Sequence, residues 1–230
     1  MRRVSPRKAI AIVIPLVLVA VVVVPWVVDG RVHSDKVPRN VELDGRAIGG
    51  FGEADLEARV HNLAGYYPDT RVEIRSGDRT LETTVGQLGG VVDQEATVNA
   101  ALAIEQSPVA WAQRLLQDEV APVVLTMRTN PAITALQDIE GSARSSPIEP
   151  FIQHSGFGFA VVPGEAGHGI PASEVIDEVI AGAAAGEEPI VVDADSADIP
   201  PRFTDEEAEA LAEEANTLTE NGITITAGGE

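Results

Sequence analysis

The chain has 230 residues, 44% of them hydrophobic and only 4% aromatic, with 36 acidic against 16 basic residues and a formal net charge of -20. A surface this acidic repels nucleic acid, whose phosphates require clustered Lys or Arg to displace counterions, and so few rings argue against a carbohydrate platform of stacked aromatics. Cysteine is absent, which excludes disulfides, thiolate metal sites and cysteine nucleophiles together.

The first element is apolar. Ala9 to Val28 is twenty residues without a charge, and at a helical rise of about 1.5 Å per residue it matches the roughly 30 Å hydrocarbon core of a bilayer. Arg2, Arg3, Arg7 and Lys8 precede it, while Asp29 and every other acidic residue follow it. The positive-inside rule then predicts a cytoplasmic tail over 1–8, a membrane helix over 9–28 and an extracytoplasmic remainder. A cleaved signal peptide would have a shorter apolar region and a small-x-small site, whereas Val21 to Val28 is branched and bulky. Pro15 and Pro25 are tolerable inside such a helix, and Trp26 falls where an amphipathic ring favours the outer interface.

Residues 29–40, polar and carrying Pro38, read as a stalk. A first strand is expected at Val41 to Leu43. Phe51 and Leu56 are spaced as a hydrophobic staple for a helix with Val60 and Leu63 on its apolar face. Val72 and Ile74, the Gly77-Asp78 turn and Leu81 to Val85 make a hairpin pattern. Asp93 is placed to cap a helix carrying Val98, Ala101, Leu102 and Ile104, and Pro108 opens another with Ala112, Leu115 and Leu116. Val120 to Met127 reads as a strand, Asn130-Pro131 as the start of a helix with Ile133, Leu136 and Ile139, and Ser142 to Pro150 as a loop. Phe157, Phe159 and Val161 alternate into the turn PGEAG. Val175, Ile176, Val179, Ile180 and Ala183 predict a helix, Pro189 to Val192 a strand, and Asp193 to Pro201 an acidic linker. Thr204 with Glu207 forms a capping box for a last helix whose apolar face is Ala208, Leu211, Ala215 and Leu218. The fold class expected is α+β: one membrane helix, then mixed helices and antiparallel strands.

Phe51, Glu53 and Ala58 recur as Phe203, Asp205 and Ala210, and Val72, Ile74 and Gly77 recur as Ile223, Ile225 and Gly228. The same helix-then-strand unit therefore starts twice, dividing the outer chain into a domain over 41–202 and the beginning of a second copy over 203–230.

The motif order resembles the peptidoglycan-binding domain found, often duplicated, N-terminal to VanW-like domains and to some L,D-transpeptidases of Gram-positive bacteria. The landmarks run from Val41 to Arg202: VELDGRAIGG at Val41 to Gly50, the acidic helix after it, TTVGQLGG at Thr83 to Gly90, VVDQEATVNAAL at Val91 to Leu102, VVPGEAG at Val161 to Gly167, and IVVDAD before Pro200. The resemblance implies a cell-wall location and peptidoglycan as partner, with the membrane engaged through the N-terminal helix. An L,D-transpeptidase requires a cysteine, so this chain cannot itself perform that reaction. The expectation is a wall-binding or spacer module that is not an enzyme. The alternative is the N-terminal part of a larger cell-wall enzyme, VanW-like or L,D-transpeptidase.

Binding residues are sought where small side chains let a ligand approach the backbone: Gly86, Gly89 and Gly90, and Pro163, Gly164 and Gly167. The same residues also suit turn geometry alone. Ser155 with His154 or His168 lacks the G-x-S-x-G setting of a nucleophile elbow. Asp193, Asp195 and Asp198 lack the glycine and terminal glutamate of a calcium loop, and the four histidines show no HExxH spacing. No metal or cofactor is expected.

Overall fold

The computed structural model describes Trp26, residues 36–156 and residues 158–220. The predicted membrane segment, apart from Trp26, and the strand expected at Ile223 and Ile225 lie outside the described residues. Within them the chain is mixed α+β, with six α-helices and several small sheets.

β1 (Val41–Leu43) and β2 (Arg46–Ala47) form a hairpin. Its turn residues Asp44 and Gly45 have φ of 52° and 63°, the left-handed backbone that a two-residue turn between twisted strands demands. α1 (Glu53–Tyr66) follows, with Phe51 and Leu56 at the two staple positions around the Gly52 N-cap. Leu56, Val60 and Leu63 point inward as their spacing requires. β3 (Arg71–Ser76) and β4 (Arg79–Thr84) pair in antiparallel register around Gly77 and Asp78.

β5 (Val91–Val92) leads into α2 (Gln94–Leu102), where the Asp93 carboxylate accepts from Ala96 N at 2.9 Å. Ser107 caps α3 (Pro108–Arg114) in the same way, accepting from Ala110 N at 3.2 Å. The single strand expected over Val120 to Met127 is two. β6 (Glu119–Val120) runs parallel to β1, and β7 (Leu125–Thr126) runs antiparallel to β5. Pro122 stands between them without an N–H to donate, so the ladder cannot continue through it. α4 (Thr129–Glu140) begins with Arg128 as N-cap, so Asn130 and Pro131 sit inside its first turn, and Asn130 is not the cap.

β8 (Phe151–Ser155) and β9 (Gly158–Val162) form a hairpin of which the periodicity anticipates the second arm. β10 (Gly167–Gly169) precedes α5 (Ala172–Ala185), which ends at Gly186 in the left-handed conformation, φ 73°. β11 (Ile190–Asp193) then pairs in parallel with β3, giving the order β11-β3-β4. The acidic stretch after it is more than a linker: β12 (Ala197–Ile199) lies antiparallel to β10. The backbone pairs whatever its side chains are, and here the acidic side chains remain exposed.

One hydrophobic cluster runs from Val37 to Ala194. Val37 is fully buried, donates to Phe51 O and accepts from Gly50 N, so the polar stretch read as a stalk ends inside the core. α6 (Asp205–Glu220) carries the expected reciprocal capping box: Thr204 N donates to Glu207 Oε2 at 2.9 Å, and Glu207 N donates to Thr204 Oγ1 at 3.2 Å. Ala208 and Ala212 are buried and Ala215 is half-buried, at the positions that Leu56, Val60 and Leu63 occupy in α1. Leu211 and Leu218, expected on that inward face, are exposed instead, because α6 rests on β9 through its alanines.

Candidate functional site

The two predicted segments contact different parts of the chain. In the first, Gly86 N donates to Pro68 O at 2.8 Å, and a Cβ on Gly86 would stand 2.9 Å from the Pro68 ring. Gly89 has φ +79°, and its face is closed by Pro131 at the head of α4. Gly90 is buried, bonded to Val85 O and covered by the Val85 side chain. In the second, Pro163 is exposed, Gly164 leans on Ile148, Pro150 and Pro201, and Gly167 is buried against Ser145 and Pro147. Gly164 N donates to Asp205 Oδ1 at 2.8 Å, which ties the turn to the start of α6. The glycine faces therefore receive the protein's own chain, and the surface open to a ligand lies beside them.

Beside Gly89 that surface is a groove of about 520 Å³ between β4 and α4, lined by Thr83, Gln87, Asn130, Pro131, Thr134 and Asp138, with Ala135 and Ile139. Asn130, Thr134 and Asp138 are four residues apart on α4, one above the other on one face. That i, i+4, i+8 polar stripe was the signal in the sequence that could have found the groove. Gln87 is positioned by the turn: its backbone N donates to Thr84 Oγ1 at 3.2 Å, while Thr83 Oγ1 donates to its Oε1 at 3.0 Å. Asn130 Oδ1 accepts from the Arg202 guanidinium at 3.2 Å. Among the lining residues the Gln87 and Asn130 amides carry N–H donors and Asp138 a carboxylate acceptor. Such a set suits a neutral ligand rich in hydroxyls and amides.

A larger groove, about 750 Å³, separates α1 from α2 and is lined by Glu53, Glu57, His61, Gln94, Glu95 and Asn99. His61 Nδ1 and Gln94 Oε1 meet across it at 3.4 Å. Its carboxylates favour an amine-bearing ligand over an anion. A third hollow contains Asp44 and Tyr66. The Tyr66 hydroxyl donates to Asp44 Oδ2 at 2.6 Å and accepts from Arg59 at 3.1 Å. Burial, then the bond to Asp44, push its pKa up, so it is held as a donor and is no base at neutral pH.

The residues considered for catalysis are held by other partners. His154 stacks edge-on against Phe159 at 5.6 Å, His168 faces Asp198 at 3.3 Å, and among the described residues no hydrogen bond joins Ser155 to either histidine. Among the described residues no group of three or more His, Asp or Glu is placed to hold a metal ion, and no helix is long and apolar enough to cross a membrane. No family model, no curated protein and no solved structure matches this chain.

Proposed function

We propose that the chain is a membrane-anchored, extracytoplasmic module that binds peptidoglycan without catalysis of its own, and that the groove between β4 and α4 receives the polymer. The observation that carries the reading is the polar stripe Asn130, Thr134 and Asp138 facing Gln87 across a concave surface. Peptidoglycan offers sugar hydroxyls, acetamido groups and peptide amides, the partners that such a donor and acceptor set satisfies. The uncharged run Ala9 to Val28 with its basic flank supports the anchor, and the motif order from Val41 to Arg202 supports the wall.

Retention on insoluble cell-wall sacculi tests this. The outer domain is expected to co-sediment at moderate salt, and Thr134→Trp, which fills the groove from an exposed helix position, is expected to lower retention roughly tenfold by blocking contact. Retention no better than that of an unrelated acidic protein removes the binding claim and leaves a spacer. A second reading, a wall-binding part of a larger cell-wall enzyme, is favoured by α6, which repeats the inward positions of α1. Sequencing the gene past codon 230 distinguishes it.

A further inference from the structure

Among the described residues, Trp26 joins the apolar run to the domain. Trp26, near the outer end of that run, donates from Nε1 to Gln106 O at 2.7 Å. Gln106 lies in the connection between α2 and α3, two residues before Pro108. α3 and the turn that closes it expose apolar side chains immediately beyond it: Val109 is 68% exposed, Leu115 60% and Leu116 89%. Val109 lies in the first turn of α3, Leu115 is its C-cap and Leu116 lies in the turn that closes it, where Leu116 N donates to Gln113 O at 2.9 Å.

Arg114 is buried, donating to Glu119 Oε2 and to Glu105 O at 2.8 Å, while its own carbonyl accepts from Asn40 Nδ2 at 2.6 Å. A buried guanidinium with two partners, and a backbone carbonyl with a third, tie the end of α3 to the domain. The patch follows in the chain directly after Gln106, whose carbonyl Trp26 holds.

Resting on the membrane-anchor reading above, we propose that Val109, Leu115 and Leu116 insert into the interfacial layer of the bilayer that the run enters, so that the domain lies on the membrane surface at α3. The occupant is the lipid itself. Glu119 is paired with Arg114 and the exposed Glu105 and Asp118 flank the patch, so contact depends on apolar burial and gains nothing from an anionic headgroup.

Because the chain has no cysteine, a single introduced one is a unique label. The full chain is reconstituted in phosphatidylcholine vesicles with an environment-sensitive fluorophore at Val109→Cys or Leu116→Cys, and at Glu209→Cys on exposed α6 as reference. Labels at 109 and 116 are expected to be quenched by shallow spin-labelled lipid at least roughly threefold more than the label at 209, and to be shielded from aqueous iodide. Equal iodide access at 116 and 209, in protein that resists carbonate extraction, overturns the proposal and leaves the anchor standing. Shielding from iodide without lipid quenching also overturns it, by showing a second copy on the patch. Release by carbonate removes the anchor reading and the proposal with it.

Discussion

Glu140 and Arg144 show how much one buried pair can hold. Both side chains are nearly inaccessible and meet at 2.6 Å one helical turn apart. Glu140 Oε1 also accepts from Ile170 N at 3.0 Å, while Arg144 donates to Ile170 O at 2.8 Å, so the end of α4 is clamped to the link between β10 and α5. Removing one partner strands the other charge in the interior, and Arg144→Ala is expected to lower unfolding free energy by about 3–5 kcal/mol in a denaturant titration, with Glu140→Leu/Arg144→Met costing less than either single alanine variant. Glu149 acts in a different range. Backbone N–H donors of Arg202, then Phe203, hold its carboxyl below the ordinary 4.5. A depressed folded pKa stabilises fully above the ordinary value and loses that contribution as pH falls through the folded one. Glu149→Gln is therefore expected to flatten the acid limb of a plot of denaturation midpoint against pH below about 4.5, while leaving its neutral limb parallel to that of the parent protein.

At the scale of elements, α6 is held by an amide that imitates a strand. Asn216 accepts from Phe159 N at 2.6 Å and donates to Phe159 O at 3.0 Å, closing the free edge of β9 that β8 does not cover. Asn216→Ala leaves both backbone groups without that partner. Amide exchange at Phe159 is expected to rise at least roughly tenfold and α6 to fray, at a cost of about 1–3 kcal/mol. The helices were readable in advance because their determinants are local: Asp93 and Thr204 as caps, and Leu56, Val60 and Leu63 at helical spacing. β8 and β12 were not, since FIQHS and ADI carry no alternation and take their extended form from partners elsewhere in the chain. The Asp44-Gly45 pair did carry a hairpin signal, and the short strands flanking it concealed that signal.

For the whole molecule, the decisive contact is the parallel pairing of β3 with β11, which joins Val72 to Ile190 and so ties the front of the domain to its back. Ile190 is fully buried and presses against Gly182 of α5. Ile190→Ala is expected to cost about 2–5 kcal/mol, with the β3–β4 hairpin and α5 losing amide protection together because they share that strand. Single-phase loss in native-state exchange would agree, and independent loss would place β11 outside the cooperative core.

The sequence by itself determined the acidic composition, the absence of thiol chemistry, the membrane-length uncharged run, the α1 and α5 faces and the Asp93 and Thr204 caps, because each follows from composition or from residues a few positions apart. It also marked Gly86, Gly89, Gly90, Gly164 and Gly167 as places of close approach. Only the tertiary structure decided what approaches them: Pro68, Pro131, the Val85 side chain and the 145–150 segment, which arrive from distant positions. The α4 stripe was local, but its meeting with Gln87 across the groove, the burial of Val37 and the bond from Trp26 to Gln106 depend on chain segments brought together across the fold, and no local spacing encodes such encounters.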